Sequence, residues 1–240
     1  MASGQQVEHL DGFLHALLRP DYVGPPAGQI VLNPAQLAAI DTTQIAALAA
    51  EVVRRNTWNG PTMALFETIV SDESTEQILA RPDMRTVPAA ARNAWAGQRQ
   101  NILAAPSEQR AQYVAIRRAI LRALHGAGAK LLIGPDSPQM FLTVGDAVHR
   151  ELASFVDAGL SPWAALVAAT RNPAEFMGWR DAGVVRSGAR ADLLLLDANP
   201  LENIHHTRRI AGVMVDGRWL DAERLEEMRR AVVEKVAAQD

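Results

Sequence analysis

One carboxylate stands where a short apolar run is cut off abruptly. Lys130-Leu131-Leu132-Ile133 reads as a buried strand, and Gly134-Pro135-Asp136-Ser137-Pro138 ends it with Asp136 at its C-terminal tip. In parallel α/β sheets that tip is where ligands bind and chemistry is done. An aspartate there could take part in such chemistry, but it is equally an ordinary turn or N-cap residue. Other chemistries are narrowed by what is missing. There are no cysteines, so disulfides, thiolate metal sites and a cysteine nucleophile are excluded, and any metal must be held by His, Asp, Glu or a modified Lys, which suits ions such as zinc or manganese. The sequence has no glycine-rich phosphate loop and no G-x-S-x-G elbow.

The elements that must position such a carboxylate follow from hydrophobic spacing. Gln6-Val7-Glu8-His9-Leu10 reads as a short strand ended by Asp11-Gly12, then a brief apolar helix through Phe13, Leu14, Leu17 and Leu18 stopped by Pro20. The Pro- and Gly-rich segment from Arg19 to Pro34 is a surface excursion. Ile45, Leu48, Ala49 and Val52 are spaced as a helix with Thr42 or Thr43 as N-cap. Thr62-Met63-Ala64-Leu65-Phe66 reads as a second apolar strand with Glu67 near its tip. Residues 71–106, dense in Pro, Arg and Ala, form an insertion of short helices covering the strand tips, long enough to serve as a lid. Ser107 caps a helix through Val114, Ala115, Arg118, Leu121 and Leu124 that Gly126 ends. After the strand at Leu131 come a helix with Val148, Leu152, Phe155, Val156 and Leu160 on one face, and another opened by Ser161-Pro162. Strand and helix thus alternate three times, which predicts parallel βα units with right-handed crossovers.

Beyond Gly178 the texture changes to short strands at 183–185, 191–197, 210–215 and 218–220, the last two joined by an Asp216-Gly217 hairpin, and a closing helix at 222–238. Two units are expected: an α/β domain over 1–180 and a small β module with a C-terminal helix over 181–240.

At 240 residues, 48% apolar and 21% charged, the chain can bury a sizeable core. A net charge of -3 provides no basic face for nucleic acid and no polybasic membrane patch. No run approaches the roughly 18 apolar residues of a membrane span, and the N-terminus lacks a signal-peptide pattern, so a cytoplasmic protein is expected.

The order of the motifs resembles the metal-dependent amidohydrolase superfamily, particularly its imidazolonepropionase and Xaa-Pro dipeptidase-like branch. The matching text is Val7-Glu8-His9-Leu10-Asp11-Gly12, Pro61-Thr62-Met63-Ala64-Leu65, Leu132-Ile133-Gly134-Pro135-Asp136-Ser137-Pro138, His149-Arg150-Glu151-Leu152, the run Ala168 to Ala174, and the run Gly188 to Leu201 followed by Ile210 to Gly217. The resemblance implies an α/β fold corresponding to the C-terminal portion of a (β/α)₈ TIM-type barrel, strands six to eight, with a small β-sandwich module. It implies that His9 ends strand six and binds a divalent metal, zinc above all, and that Asp136 ends strand eight, binds the metal and takes the proton from the attacking water. Nothing aligns with the family's His-x-His pair on strand one, its strand-four bridging ligand or its strand-five histidine. The implied activity is hydrolysis of an amide-type C–N bond in a dipeptide or cyclic amide, by a chain inactive alone unless a partner supplies the missing strands.

Two rival readings stand beside this one: a non-catalytic remnant serving as a binding or assembly module, and an unrelated small open α/β domain. Expected partners are a small-molecule substrate and either a second copy or a complementing N-terminal half. Among the remaining candidates, Glu67 either touches substrate or is a solvated strand-end acid, and His149 packs or caps rather than binding metal. His125 answers a helix dipole, His205-His206 point apart in a loop, and Arg117-Arg118 are solvated surface.

Overall fold

The computed structural model describes residues 6–24, 30 and 32–239; part of the surface excursion, 25–29 and 31, lies outside them. Three short strands, β1 (Gln6–Glu8), β2 (Trp58–Gly60) and β3 (Lys130–Leu131), form a parallel sheet in the order β1-β2-β3. Val7 faces Asn59 and Asn59 faces Leu131, so the strand ends come out level. Between β1 and β2 lie α1 (Asp11–Ala16), α2 (Pro34–Ala39) and α3 (Ile45–Arg54). Between β2 and β3 lie α4 (Met63–Val70), α5 (Thr75–Leu79), α6 (Ala89–Leu103) and α7 (Ser107–Gly126). After β3 come α8 (Asp146–Asp157), α9 (Pro162–Ala169) and α10 (Arg171–Phe176). The alternation read from the sequence is therefore present, and the fold is α/β.

The core forms where the inward stripes of α3, α7 and α8 meet the strand ends. Val52, Ile120, Leu121, Leu124, Leu152 and Phe155 are buried together with Leu10, Met63 and Leu131. Each such side chain contributes roughly 1.5–3 kcal/mol of burial. A second, smaller cluster joins Ile78, Met84 and Val87 of the 71–106 insertion to Phe141, in the loop that follows β3. The insertion is helical, with two short pieces, α5 and a 3-10 turn at Pro82–Thr86, and one longer helix than expected, the 15-residue α6.

The second strand is displaced from its expected place. Residues 62–66 open helix α4, and the strand is the preceding Trp58–Gly60. Seven of the eight α4 residues are buried, so the run is apolar all round and carries no period to separate helix from strand. What makes it a helix is polar support at both ends. At its N-terminus the Glu151 carboxylate accepts hydrogen bonds from the Met63 and Ala64 N–H groups at 2.8 and 2.6 Å. At its C-terminus Arg99 donates to the Ile69, Ser71 and Glu73 carbonyls and Arg110 to those of Val70 and Ser71. These bonds satisfy groups that every helix leaves orphaned, with charges of the sign its dipole favours.

Smaller corrections have similarly local causes. The strand at 130–133 is only Lys130–Leu131, although Leu132 N–H still bonds the Asn59 carbonyl at 2.8 Å. Pro106, not Ser107, stands at the N-cap of α7, and the Ser107 hydroxyl instead donates to Asp72. A 3-10 turn at Thr42–Gln44, capped by Asp41, precedes α3. Residues 183–185 form no strand. Arg117 is wholly buried and Arg118 pairs with Glu67 at 2.7 Å, so neither is solvated surface.

The last third holds an antiparallel sheet of β4 (Leu193–Leu196), β5 (Ile210–Val215) and β6 (Arg218–Asp221), in that order. Asp216 and Gly217 both take positive φ, 49° and 75°, which gives the hairpin its right-handed twist. Helix α11 (Ala222–Ala237) lies against β5 and β6 and buries none of its residues fully.

Candidate active site at the strand tips

The C-terminal edge of the parallel sheet concentrates backbone strain. His9 and Leu10 after β1, Thr62 after β2 and Asp136 after β3 all take left-handed conformations, with φ of 63°, 61°, 50° and 55°. Non-glycine residues enter this region rarely and β-branched ones least of all, so each costs of order 1–3 kcal/mol. Strain of this kind persists only where the surroundings over-determine it.

The chain reverses sharply at each tip and brings side chains from the two outer strands together over the middle one. His9 Nε2 lies 3.9 Å from Asp136 Oδ2, with the histidine about one-quarter and the aspartate under one-half exposed. The other imidazole nitrogen, Nδ1, is 2.9 Å from the Thr62 hydroxyl, which donates to the Gly134 carbonyl at 2.7 Å. Phe66 meets the imidazole edge-on, their rings 6.3 Å apart. Gln139 donates to the Asp136 carboxylate.

Glycine makes room for a further acid. A side chain on Gly60 would run into the Glu8 carboxylate, which leans across β2 toward Gly134. Partial burial raises the Glu8 carboxyl above its ordinary range, His9 opposes that rise, and Asp136 adds to it. One imidazole and two carboxylates thus lie near one another at the edge where α/β enzymes work.

Arg117 holds this edge from below. Its guanidinium stacks on Phe66 at 3.9 Å, donates to the carbonyls of His9, Pro61 and Thr62 at 2.7, 2.8 and 3.3 Å, and reaches the Tyr113 hydroxyl at 3.1 Å. One buried cation therefore fixes the two turns that carry His9 and Thr62. Burial pushes the nearby Tyr113 hydroxyl up to about 12. Burial also raises the Asp11 carboxyl, against the pull of Arg117.

The other candidates lie elsewhere. Glu67 projects from α4 to Arg118 and Ser154, bonding each at 2.7 Å, and takes no part at the strand tips. His149 Nδ1 contacts the Thr207 hydroxyl at 2.9 Å, and burial, aided by Arg208, lowers its imidazole. His206 contacts the Asn199 carbonyl at 2.8 Å and His125 sits in the last turn of α7. Arg117, Thr62 and Glu151 are the residues sequence reading missed. Tyr113, Arg117, Leu121 and Leu124 share one buried helical stripe, and Ala147, Glu151 and Phe155 another, so strict period counting could have placed both charges inward. Thr62 carried no such signal.

The amidohydrolase sequence pattern, described as "Amidohydrolase family", matches residues 68–220, well over half of the chain. The chain belongs to the amidohydrolase family. Asp136 lies inside the matched segment and His9 before it. Among solved structures it is similar to bottromycin amidohydrolase, with a TM-score of 0.68 and 24% identity over 96% of this chain and 48% of that one. It is also similar to a Xaa-Pro dipeptidase with bound methionine in the active site, with a TM-score of 0.51 and 19% identity over 73% and 37%. The likeness is one of fold, and the chain spans about half the length of the first of these proteins. Comparison with curated proteins finds no match.

Members of this family typically use divalent metals, so the residues present must be tested against one. Two ligands at about 2.1 Å on a tetrahedral ion stand roughly 3.4 Å apart. The His9 and Asp136 donor atoms, at 3.9 Å, are close to that spacing, and an imidazole with a carboxylate is a suitable set for zinc. They fit as two ligands of an ion. Among the described residues no group of three or more His, Cys, Asp or Glu side chains is arranged to hold a metal.

Proposed function

We propose that this chain carries part of a metal-dependent hydrolytic site acting on an amide-type C–N bond, of a dipeptide or a cyclic amide. The observation that carries the reading is the convergence of His9 Nε2 and Asp136 Oδ2 to 3.9 Å at the tips of the sheet's two outer strands. In this reading β1, β2 and β3 correspond to strands six, seven and eight of a (β/α)₈ barrel. Residues 1–180 make up that portion, and residues 181–240 a β-sandwich module with its helix.

His9 and Asp136 are the residues that would hold zinc. The ion supplies acidity to a bound water when it is present. The chain's own contribution is geometric and basic. Asp136, partly exposed, can accept a proton from water within hydrogen-bond reach and pass it to the leaving nitrogen. Phe66 and the Arg117-braced turns keep the imidazole facing that carboxylate. Catalytic zinc usually takes three protein ligands, so two of them call for a complementing polypeptide that bears the others. The edges of β1 and β3, which pair with no further strand among the described residues, are where added strands would pair.

The test is metal content of the purified chain, alone and co-expressed with the N-terminal segment of a related amidohydrolase. Zinc retained by the co-expressed complex and lost with His9→Ala or Asp136→Ala is the expected result. A stable complex that holds no zinc would sink the reading, as would zinc retention indifferent to both substitutions. A chain that stays a metal-free monomer and ignores the added segment would favour a binding or assembly role.

A further inference from the structure

From the hydrogen-bond pattern we infer that Thr62 is a positioning residue: its hydroxyl selects the tautomer of His9, leaving Nε2 bare toward Asp136. The inference rests on the reading of His9 and Asp136 as ligands, and deepens it.

The argument is a proton count. The Thr62 hydroxyl has one hydrogen to donate. Both carbonyls within its reach, Gly134 at 2.7 Å and Gly60 at 3.5 Å, can only accept it. With that hydrogen committed, the oxygen faces His9 Nδ1 at 2.9 Å as an acceptor, so Nδ1 must carry the ring hydrogen. A neutral imidazole holds one such hydrogen, and Nε2 is left with its lone pair. That lone pair faces Asp136 Oδ2. A histidine that binds metal through one nitrogen regularly has its other N–H anchored in this way.

The backbone shows that this hydroxyl is held in place deliberately. Thr62 is wholly buried and takes φ 50° and ψ 62°, a left-handed conformation that a β-branched residue strongly resists. Its carbonyl accepts from Arg117, and the two following N–H groups are held by Glu151. Strain locked by surrounding bonds at a strand tip points to function rather than accident. The latch also ties the three strands together, since His9 follows β1, Thr62 follows β2 and Gly134 follows β3.

The experiment reads the tautomer directly. The full chain, labelled with ¹⁵N histidine, stripped of metal by chelation and held at about pH 8 where imidazoles are neutral, is compared with Thr62→Val and Thr62→Ser. The His9 signals are assigned by their loss in His9→Gln. The Nδ1-protonated form is expected in the parent chain and in Thr62→Ser, and the Nε2-protonated form in Thr62→Val. Nε2 protonation in the parent chain would overturn the inference without any variant, and so would Nδ1 protonation unchanged in a folded Thr62→Val. A second readout is cobalt(II) affinity, expected to fall about 10–100-fold in Thr62→Val and to return in Thr62→Ser. If the parent chain is Nδ1-protonated but takes up no cobalt even with the complementing segment, the metal-site reading fails while the tautomer assignment stands.

Discussion

Two apolar strands in this chain look alike in sequence and differ in burial. Leu131 and Leu132, at the β3 end, are 4% and 7% exposed. Leu193, Leu194 and Leu195 of β4 are 38%, 48% and 54% exposed. The first pair is covered by helices of this chain, whose stripes supply Leu121, Leu124, Ala165 and Ala168. Around the leucines of β4 the described residues supply little cover on either face. A continuous apolar run says that a strand is suited to burial on both faces, and says nothing of what does the burying. The polar groups divide the same way. Arg99, Arg117 and Glu151 are wholly buried and bonded to backbone, whereas the charges of α11 pair with one another in the open.

The comparison breaks most visibly at Arg117. Arg117→Met leaves the carbonyls of His9, Pro61 and Thr62 without their donor in a dry interior, at about 1–3 kcal/mol for each group so stranded. Urea unfolding is expected to show a loss of about 3–5 kcal/mol, in line with the removal of other buried charges. A loss under about 1 kcal/mol would mean that the guanidinium does not brace the two turns.

Glu151 offers a subtler measurement. Burial is the largest influence on its carboxyl and pushes it up to about 7 from 4.5, against the Met63 and Ala64 N–H groups that favour the charged form. The folded chain therefore holds this proton more tightly than the unfolded one. The stabilisation is fully present below pH 4.5 and drains away as the pH rises through about 7, a change of about 3 kcal/mol at 1.36 kcal/mol per unit. Glu151→Gln cannot titrate. Its stability minus that of the parent is expected to climb between those two values and then level off. His149, lowered by burial and Arg208, acts in the opposite sense, losing stabilisation as the pH falls below 6.5, and the subtraction removes it. A difference that stays flat with pH would show Glu151 to be ionised throughout.

The same contrast explains what was legible in the sequence. The parallel alternation, the Asp216-Gly217 hairpin and the Ser161-Pro162 helix start are local patterns, and each is present, although the second strand lies at 58–60 rather than 62–66. Asp136 at the third tip and His9 at the first were legible as positions, because strand ends are punctuated by Gly, Pro and Asp. Their approach to 3.9 Å was not, since it depends on left-handed turns and on Arg117, more than a hundred residues from His9. Helix α4 was misread because its cap, Glu151, comes 88 residues after Met63. Tertiary partners chose helix over strand where the local pattern could not.

The leucines of β4 give a smaller effect. Leu194→Ser or Leu195→Ser removes side chains already about half exposed, so each is expected to cost under about 1 kcal/mol, against about 2–5 kcal/mol for Leu121→Ala in the core. Exposed apolar patches on a strand with a free edge favour association, so the serine variants are expected to stay monodisperse at higher concentration by light scattering. If instead they unfold the chain as Leu121→Ala does, β4 is covered in solution and the contrast between the two sheets disappears.

The smallest effect is the control that gives the largest its meaning. Arg224 in α11 donates to Glu227 at 2.9 Å, an i, i+3 pair with both side chains about half exposed. Like Arg117 it is an arginine on a helix with a bonded partner. Exposed pairs of this kind gain little in water and lose side-chain entropy, so Arg224→Ala is expected to shift unfolding by no more than about 0.5 kcal/mol, and less in high salt. The several-fold ratio between the two arginines comes from desolvation alone, because Arg117 has replaced water by three carbonyls and a ring face that nothing else can satisfy. Equal losses at the two positions would mean that α11 is bound far more tightly than its exposure shows, and that the last third of the chain is stabilised by contacts of its own kind and strength.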